Sequence, residues 1–324
     1  MKESGTANTY LPGLRGAAIF YALCFALSWA IWGTLILFPQ TADWSPLIII
    51  FGAYGPLIAA LILSRLAPGP RTARSWLRSV SGARRQWRWL IFAALILPLL
   101  IALAHLGIFR LLIGPISLSI DPPWYWAAST APLNILVLFW MSSAIEEFGW
   151  QGFAMPRLTA SLHPLLASLI HGLIWATWHL PLYFTGVWKG DNQEIWLLYA
   201  ITITLTPTMF WLTQKAAGSV IPAVLFHAAT NHYSALFASP QEFPIFIQPL
   251  AAYFTEIKVA IYLLLALFLI LITRGRLGQS PNNKPMAEPV EAEPVERRAC
   301  RSRPCRSINQ YKPRRDTPSW RLLP

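Results

Sequence analysis

The stretch WLIFAALILPLLIALAHLGIFRLLI, residues 89–113, carries a single charge, Arg110, in its whole length. About 20 apolar residues cross roughly 30 Å of hydrocarbon as a helix rising about 1.5 Å per residue. Lipid offers no partner for an unpaired backbone N–H or C=O, so a run of this kind must be helical and cannot be a strand. Working outward, comparable runs occur at 17–38, 47–64, 126–145, 163–182, 195–213, 218–237 and 257–273. The expected fold is therefore all-α, a polytopic integral membrane bundle of about eight transmembrane helices. Composition agrees: 55% of the 324 residues are hydrophobic and 12% charged, where a soluble domain would have about 25% charged. Mean hydropathy is +0.45. Sixteen Trp, 17 Phe and ten Tyr suit a chain that marks its lipid boundaries with aromatics. The run 17–38 is too long for a signal-peptide core and no A-x-A site follows it, so it reads as a retained helix.

A net charge of +12 raises the question of nucleic acid, but the basic residues are concentrated where a membrane topology puts them. The loop 65–88 holds seven Arg (65, 71, 74, 78, 84, 85, 88) and no acid, which assigns it to the cytoplasm. Alternation then places both termini inside, with every Lys and Arg except Arg110, Lys189 and Lys258 on that side. The expected partners are the lipid bilayer and a peptide or protein substrate at the membrane, with no nucleic acid. The expected division is a cytoplasmic N-terminus at 1–16, a membrane domain at 17–273, and a basic, Pro-rich tail at 274–324. That tail contains the repeat AEPVE-AEPVE at 287–296 and cannot bury enough apolar surface to offset its ordering entropy, so it is expected to be disordered. Cys24, Cys300 and Cys305 form no disulfide framework, and the two tail cysteines lack further ligands for a metal.

Ionisable groups within spans are costly and are the default functional residues of a membrane protein. Between Ser4 and Gly190 the only acids are Asp43, Asp121 and the adjacent pair Glu146 and Glu147, which sits where the run 126–145 ends. After that pair the chain stays apolar and aromatic up to Pro156, so the carboxyls should be covered rather than solvated. A second cluster is HGLIWATWHLP, in which His171, Trp175 and His179 recur every fourth residue on one helical face. A third is FHAATNHY, with His227 and Asn231 one turn apart. Taken singly, each has a structural explanation, a span boundary for Glu146 and helix–helix hydrogen bonding for the His–Asn pair. Together, one carboxylate, two imidazoles and a carboxamide on three helices can converge inside a bundle. A Glu with a His can activate water, or with a second His can hold zinc with one position open, and an imidazole with a carboxamide can hold an oxyanion. These chemistries are hydrolytic.

The three segments EEFGWQGFAMPRL (146–158), HPLLASLIHGLIWATWHLPLYF (163–184) and VIPAVLFHAATN (220–231) resemble, in order and spacing, the three motifs of the CPBP intramembrane protease family. That family includes type II CAAX prenyl endopeptidases and bacteriocin-processing and immunity proteins. FGAYGPLIAALIL at 51–63 is similar to its second helix, so the likeness covers about 47–237. The family pattern E-E-x-x-x-R falls on Glu146 and Glu147 with Gln151 at the arginine position. The pattern F-x-x-x-H falls on Trp175 and His179, and H-x-x-x-N or D on His227 and Asn231. The resemblance implies that Glu146 and His179 activate the hydrolytic water and that His227 and Asn231 stabilise the oxyanion. Glu147, Gln151 and Trp175 would support them, and zinc is a cofactor that Glu146, His179 and His227 could hold, although a metal-free glutamate mechanism suits the same residues. His163, His171 and His232 receive no role.

The function implied is an intramembrane endopeptidase. The alternative is a catalytically weak or inactive binding or immunity protein on the same fold, which Gln151 would favour. A transporter would carry internal repeats, and none is visible in the sequence. The substrate's identity and the oligomeric state are not legible. Cysteines introduced at Ser79 and Pro244, in a background freed of the native ones, should react with impermeant reagents from opposite sides of the membrane; reaction from one side would overturn the topology.

Overall fold

The computed structural model describes residues 13–66, 73–82, 86–112, 114, 119–120, 143–185, 194–238, 245–246 and 253–279. Helices dominate: α1 (Gly13–Leu37), α2 (Ser45–Ala53), α3 (Gly55–Leu66), α4 (Ala73–Ser81), α5 (Trp87–Ile91), α6 (Leu97–Leu112), α7 (Ala144–Gly149), α8 (Met155–Thr159), α9 (Pro164–Trp178), α10 (Leu180–Phe184), α11 (Ile195–Lys215), α12 (Ile221–Ala238) and α13 (Phe254–Thr273). A polytopic helical membrane bundle is what forms. Among the described residues six segments are long and apolar enough to span: Gly13–Leu37, Ser45–Leu66, Trp87–Leu112, Pro164–Phe184, Ile195–Lys215 and Phe254–Thr273. Each matches one of the expected runs to within a few residues. The expected span 126–145 lies outside the described residues up to 142, and the run 218–237 is α12, a helix whose His and Asn make it less apolar than the others. The tail beyond Gln279 also lies outside them, whereas Arg274–Gln279 is folded onto the end of α13, with Leu277 fully buried.

Leucines and phenylalanines of α6 and α13, such as Leu99, Leu103, Leu264 and Phe268, stand exposed as lipid-facing side chains would. Inside, small residues let helices approach. A Cβ added at Gly149 would fall 2.6 Å from the backbone carbonyl of Pro56, and one at Gly172 would fall 2.6 Å from Cα of Ile203. These contacts press α7 onto α3 and α9 onto α11, the small-residue packing expected in lipid. Tryptophan N–H groups tie the bundle further: Trp32 donates to Ile49 O (3.0 Å) and Trp29 to Trp178 O (2.9 Å).

Two helical runs contain π turns, at Phe92–Ile96 and Trp150–Ala154. Each is followed within two residues by a proline, Pro98 and Pro156, which cannot donate to the carbonyl four residues back. The second π turn continues α7 into α8 rather than leaving an extended loop after the run 126–145. Residues 144–159 are helical, and Glu146, Glu147, Trp150, Gln151, Phe153 and Met155 are all buried.

Hydrogen bonds also join the segments between the long helices. Ser119–Ile120 and Ile245–Phe246 form a two-residue antiparallel ladder. Trp76 of the Arg-rich loop donates to Gly152 O (3.2 Å), and Val220 N donates to Val80 O (2.8 Å). The Arg-rich loop thus holds the segments that carry Gly152 and Val220.

Candidate active site

Four helical elements bring the sequence-derived residues together. Glu146 and Glu147 occupy the first turn of α7, and the π turn places Trp150 and Gln151 after them. Trp175 lies in the last turn of α9. Pro181 prevents that helix from continuing, so His179 falls at its C-terminal cap, between α9 and α10. His227 and Asn231 lie one turn apart on α12, His227 buried and Asn231 half-buried.

Glu146 is 4% exposed, and its Oε2 accepts a hydrogen bond from Trp175 Nε1 at 3.0 Å and a longer one from Trp150 Nε1 at 3.5 Å. Trp175 also serves His179, whose Nδ1 lies 3.0 Å from the Trp175 carbonyl oxygen. A carbonyl can only accept, so His179 Nδ1 carries the hydrogen, and in the neutral ring the lone pair is on Nε2. The Trp175 indole stands edge-on to the His227 ring, with centroids 5.3 Å apart and planes at 79°. One residue therefore touches the first glutamate and both histidines.

Glu147 is 1% exposed, and its Oε1 lies 3.0 Å from His227 Nδ1 across the α7–α12 interface. On an unbroken α-helix Gln151, four residues on, would share a face with Glu147. The π turn at Trp150–Ala154 breaks the α-helical spacing between the two, and among the described residues neither Glu147 Oε2 nor Gln151 Oε1 has a hydrogen-bond partner. Chain order conceals the Glu147–His227 contact because its members are 80 residues apart. Trp150 was likewise not singled out by sequence, although its place four residues after Glu146 is the available signal. His171 has a structural partner: its Nδ1 is 2.7 Å from the Tyr21 hydroxyl. His163 caps the start of α9 by position, and the side chain of His232 lies outside the described set.

Zinc would need three donors facing one point. Among the described residues no three His, Cys, Asp or Glu side chains are grouped to hold a metal ion. The groups that the site presents are a buried carboxylate oriented by indole N–H, an imidazole with its lone pair on Nε2, and a glutamate–imidazole pair one turn from a carboxamide.

Residues 128–233 match the profile described as type II CAAX prenyl endopeptidase Rce1-like. The chain is also 30% identical over 120 residues to CAAX prenyl protease 2 of Methanococcus maripaludis, an alignment that covers 35% of this chain and 44% of the relative. The chain thus spans less than half the length of the curated relative it matches. The profile match takes in Glu146, His179 and His227, so the segment that carries the candidate site is similar to type II CAAX prenyl endopeptidases.

Proposed function

We propose that the protein is an intramembrane endopeptidase that hydrolyses a peptide bond of a membrane-associated substrate near the cytoplasmic face. The observation that carries this reading is the pair of 3.0 Å contacts that hold two buried glutamates, Glu146 on the Trp175 indole and Glu147 on His227. Buried carboxyls are expensive, and a fold keeps them where they are used. In the proposed reaction a water attacks the carbonyl carbon of the scissile bond as its proton passes to Glu146. His179, its lone pair on Nε2, accepts from and orients that water. The carbonyl oxygen becomes an oxyanion and takes hydrogen bonds from His227 Nε2 and the Asn231 amide. One proton shared by Glu147 and His227 leaves a hydrogen on Nε2 whether the shared proton sits on the carboxyl or on the ring. As the intermediate collapses, the C–N bond breaks and the leaving amine takes the proton that Glu146 accepted. The relative named a CAAX prenyl protease makes a prenylated C-terminal peptide the substrate class to try first.

In proteoliposomes with such a peptide, Glu146→Gln should lower turnover by about 10² to 10⁴ while leaving thermal stability near that of the native chain. Asn231→Ala, which loses one oxyanion donor, should cost roughly 10² to 10³. Prolonged chelation should leave turnover unchanged, and a loss restored by zinc would return a metal to the mechanism. Native cleavage by Glu146→Gln would reject the assignment. Absence of cleavage by the native chain, with the peptide bound, would favour the binding or immunity reading.

Gln151 supplies a second test. An arginine there could donate to Glu147 Oε2, a buried acceptor that the described residues leave unmatched. Gln151→Arg should therefore raise the unfolding midpoint or the turnover. A lowered midpoint would mean that the pocket has repacked around the smaller amide.

A further inference from the structure

Helix α4 is the one described helix between α3 and α5, and its sequence, ARSWLRSVS, divides cleanly by face. Ala73 and Val80 are buried, and Val80 packs with Ala144, Val220 and Val224. Trp76 meets the ring of Phe148 edge-on at 6.5 Å. Arg74, Arg78 and Ser79 face outward. The apolar face is thus already occupied by the protein, and what α4 presents to the surroundings is cationic. No acid occurs in the sequence between Asp43 and Asp121 to neutralise it. Leu66 and Trp87, at the two ends of this loop, are 68% and 63% exposed. A large apolar side chain and an indole so exposed mark the edge of the hydrocarbon and hold α4 at headgroup level.

The inner face of α4 reaches both halves of the site. Pro156 has no N–H to give the carbonyl of Gly152, four residues earlier, and Trp76 Nε1 donates to it instead at 3.2 Å. Val220 N, just ahead of the helix that carries His227, has no helical acceptor of its own and donates to Val80 O at 2.8 Å. One short helix therefore holds the element that follows Glu146 and Glu147 and the start of the element that carries His227.

We propose that the Arg74 and Arg78 face of α4 seats on anionic phospholipid headgroups, and that this seating clamps the α7 and α12 helices across which Glu147 meets His227. Arg side chains suit phosphate because the guanidinium offers a planar, bidentate donor set, and basic segments at a membrane surface are drawn to anionic lipid. The attraction is screened by salt. The clamp acts on the folded bundle, so it is independent of whether the site hydrolyses peptides.

The test uses the full chain in neutral detergent, with thermal unfolding followed as phosphatidylglycerol or phosphatidylcholine is added and retained lipid counted by native mass spectrometry. Phosphatidylglycerol should raise the midpoint by about 2–4 °C more than phosphatidylcholine, and raised salt should remove the difference. The pair Arg74→Gln, Arg78→Gln should lose both the excess shift and the retained anionic lipid, while Arg74→Lys, Arg78→Lys should keep most of both. Trp76→Phe keeps the ring but not the N–H, so it should retain the lipid and lose the excess shift. Equal shifts with the two lipids, or an undiminished shift in the glutamine pair, would overturn the proposal. So would oligomerisation through this face without a lipid-specific shift, which would assign it to a second copy.

Discussion

The site depends on one residue with two polar ends. The indole N–H of Trp175 donates to Glu146 at 3.0 Å, and its backbone carbonyl takes the Nδ1 hydrogen of His179 at the same distance. The first bond aims a carboxylate and the second fixes a tautomer, so both groups that would handle the hydrolytic water are oriented from one position on α9. In the family pattern that position is an aromatic without a donor. Tryptophan keeps the ring and adds an N–H, and in a low-dielectric interior a hydrogen bond to a carboxylate is among the stronger ones available.

Around that hub the fold resolves a conflict between lipid and chemistry. Carboxyls and imidazoles are costly in hydrocarbon, yet hydrolysis requires them. The bundle answers by pairing Glu146 with Trp175, Glu147 with His227 and His171 with Tyr21 across helices, while Trp150 serves Glu146 and the Trp175 carbonyl serves His179 from within one helical run. Close approach at Gly149 and Gly172 seats α7 on α3 and α9 on α11, which packs the helices that carry Glu146 and Trp175 into the bundle. The prolines contribute by ending or loosening helices where a side chain must leave the regular spiral, as at His179 and after Gln151.

The spans were legible because apolar length is a one-dimensional property. Six of the expected runs coincide with candidate spans and a seventh, 218–237, with α12, while the break at Tyr54 between α2 and α3 and both π turns leave no trace in hydropathy. The candidate residues were legible for a related reason, since ionisable groups in apolar sequence are conspicuous. Their pairings were not. A helical wheel sets Gln151 beside Glu147 because it treats only neighbours on one continuous helix. The π turn spoils that continuity, and His227, 80 residues away, is the partner found. Trp175 was visible as an aromatic, but a sequence cannot say that its N–H points at Glu146 rather than at lipid.

The measurement that tests the Trp175 linkage most directly is a double-mutant cycle on turnover with Trp175→Phe and Glu146→Gln. A net bond of about 1.5–3 kcal/mol to the carboxylate corresponds to a factor of about 10 to 100 in rate. Trp175→Phe should cost that factor in kcat, with little change in KM, when Glu146 is present, and almost nothing when Glu146 is already Gln. Equal costs in both backgrounds would contradict the account and leave Trp175 as packing alone.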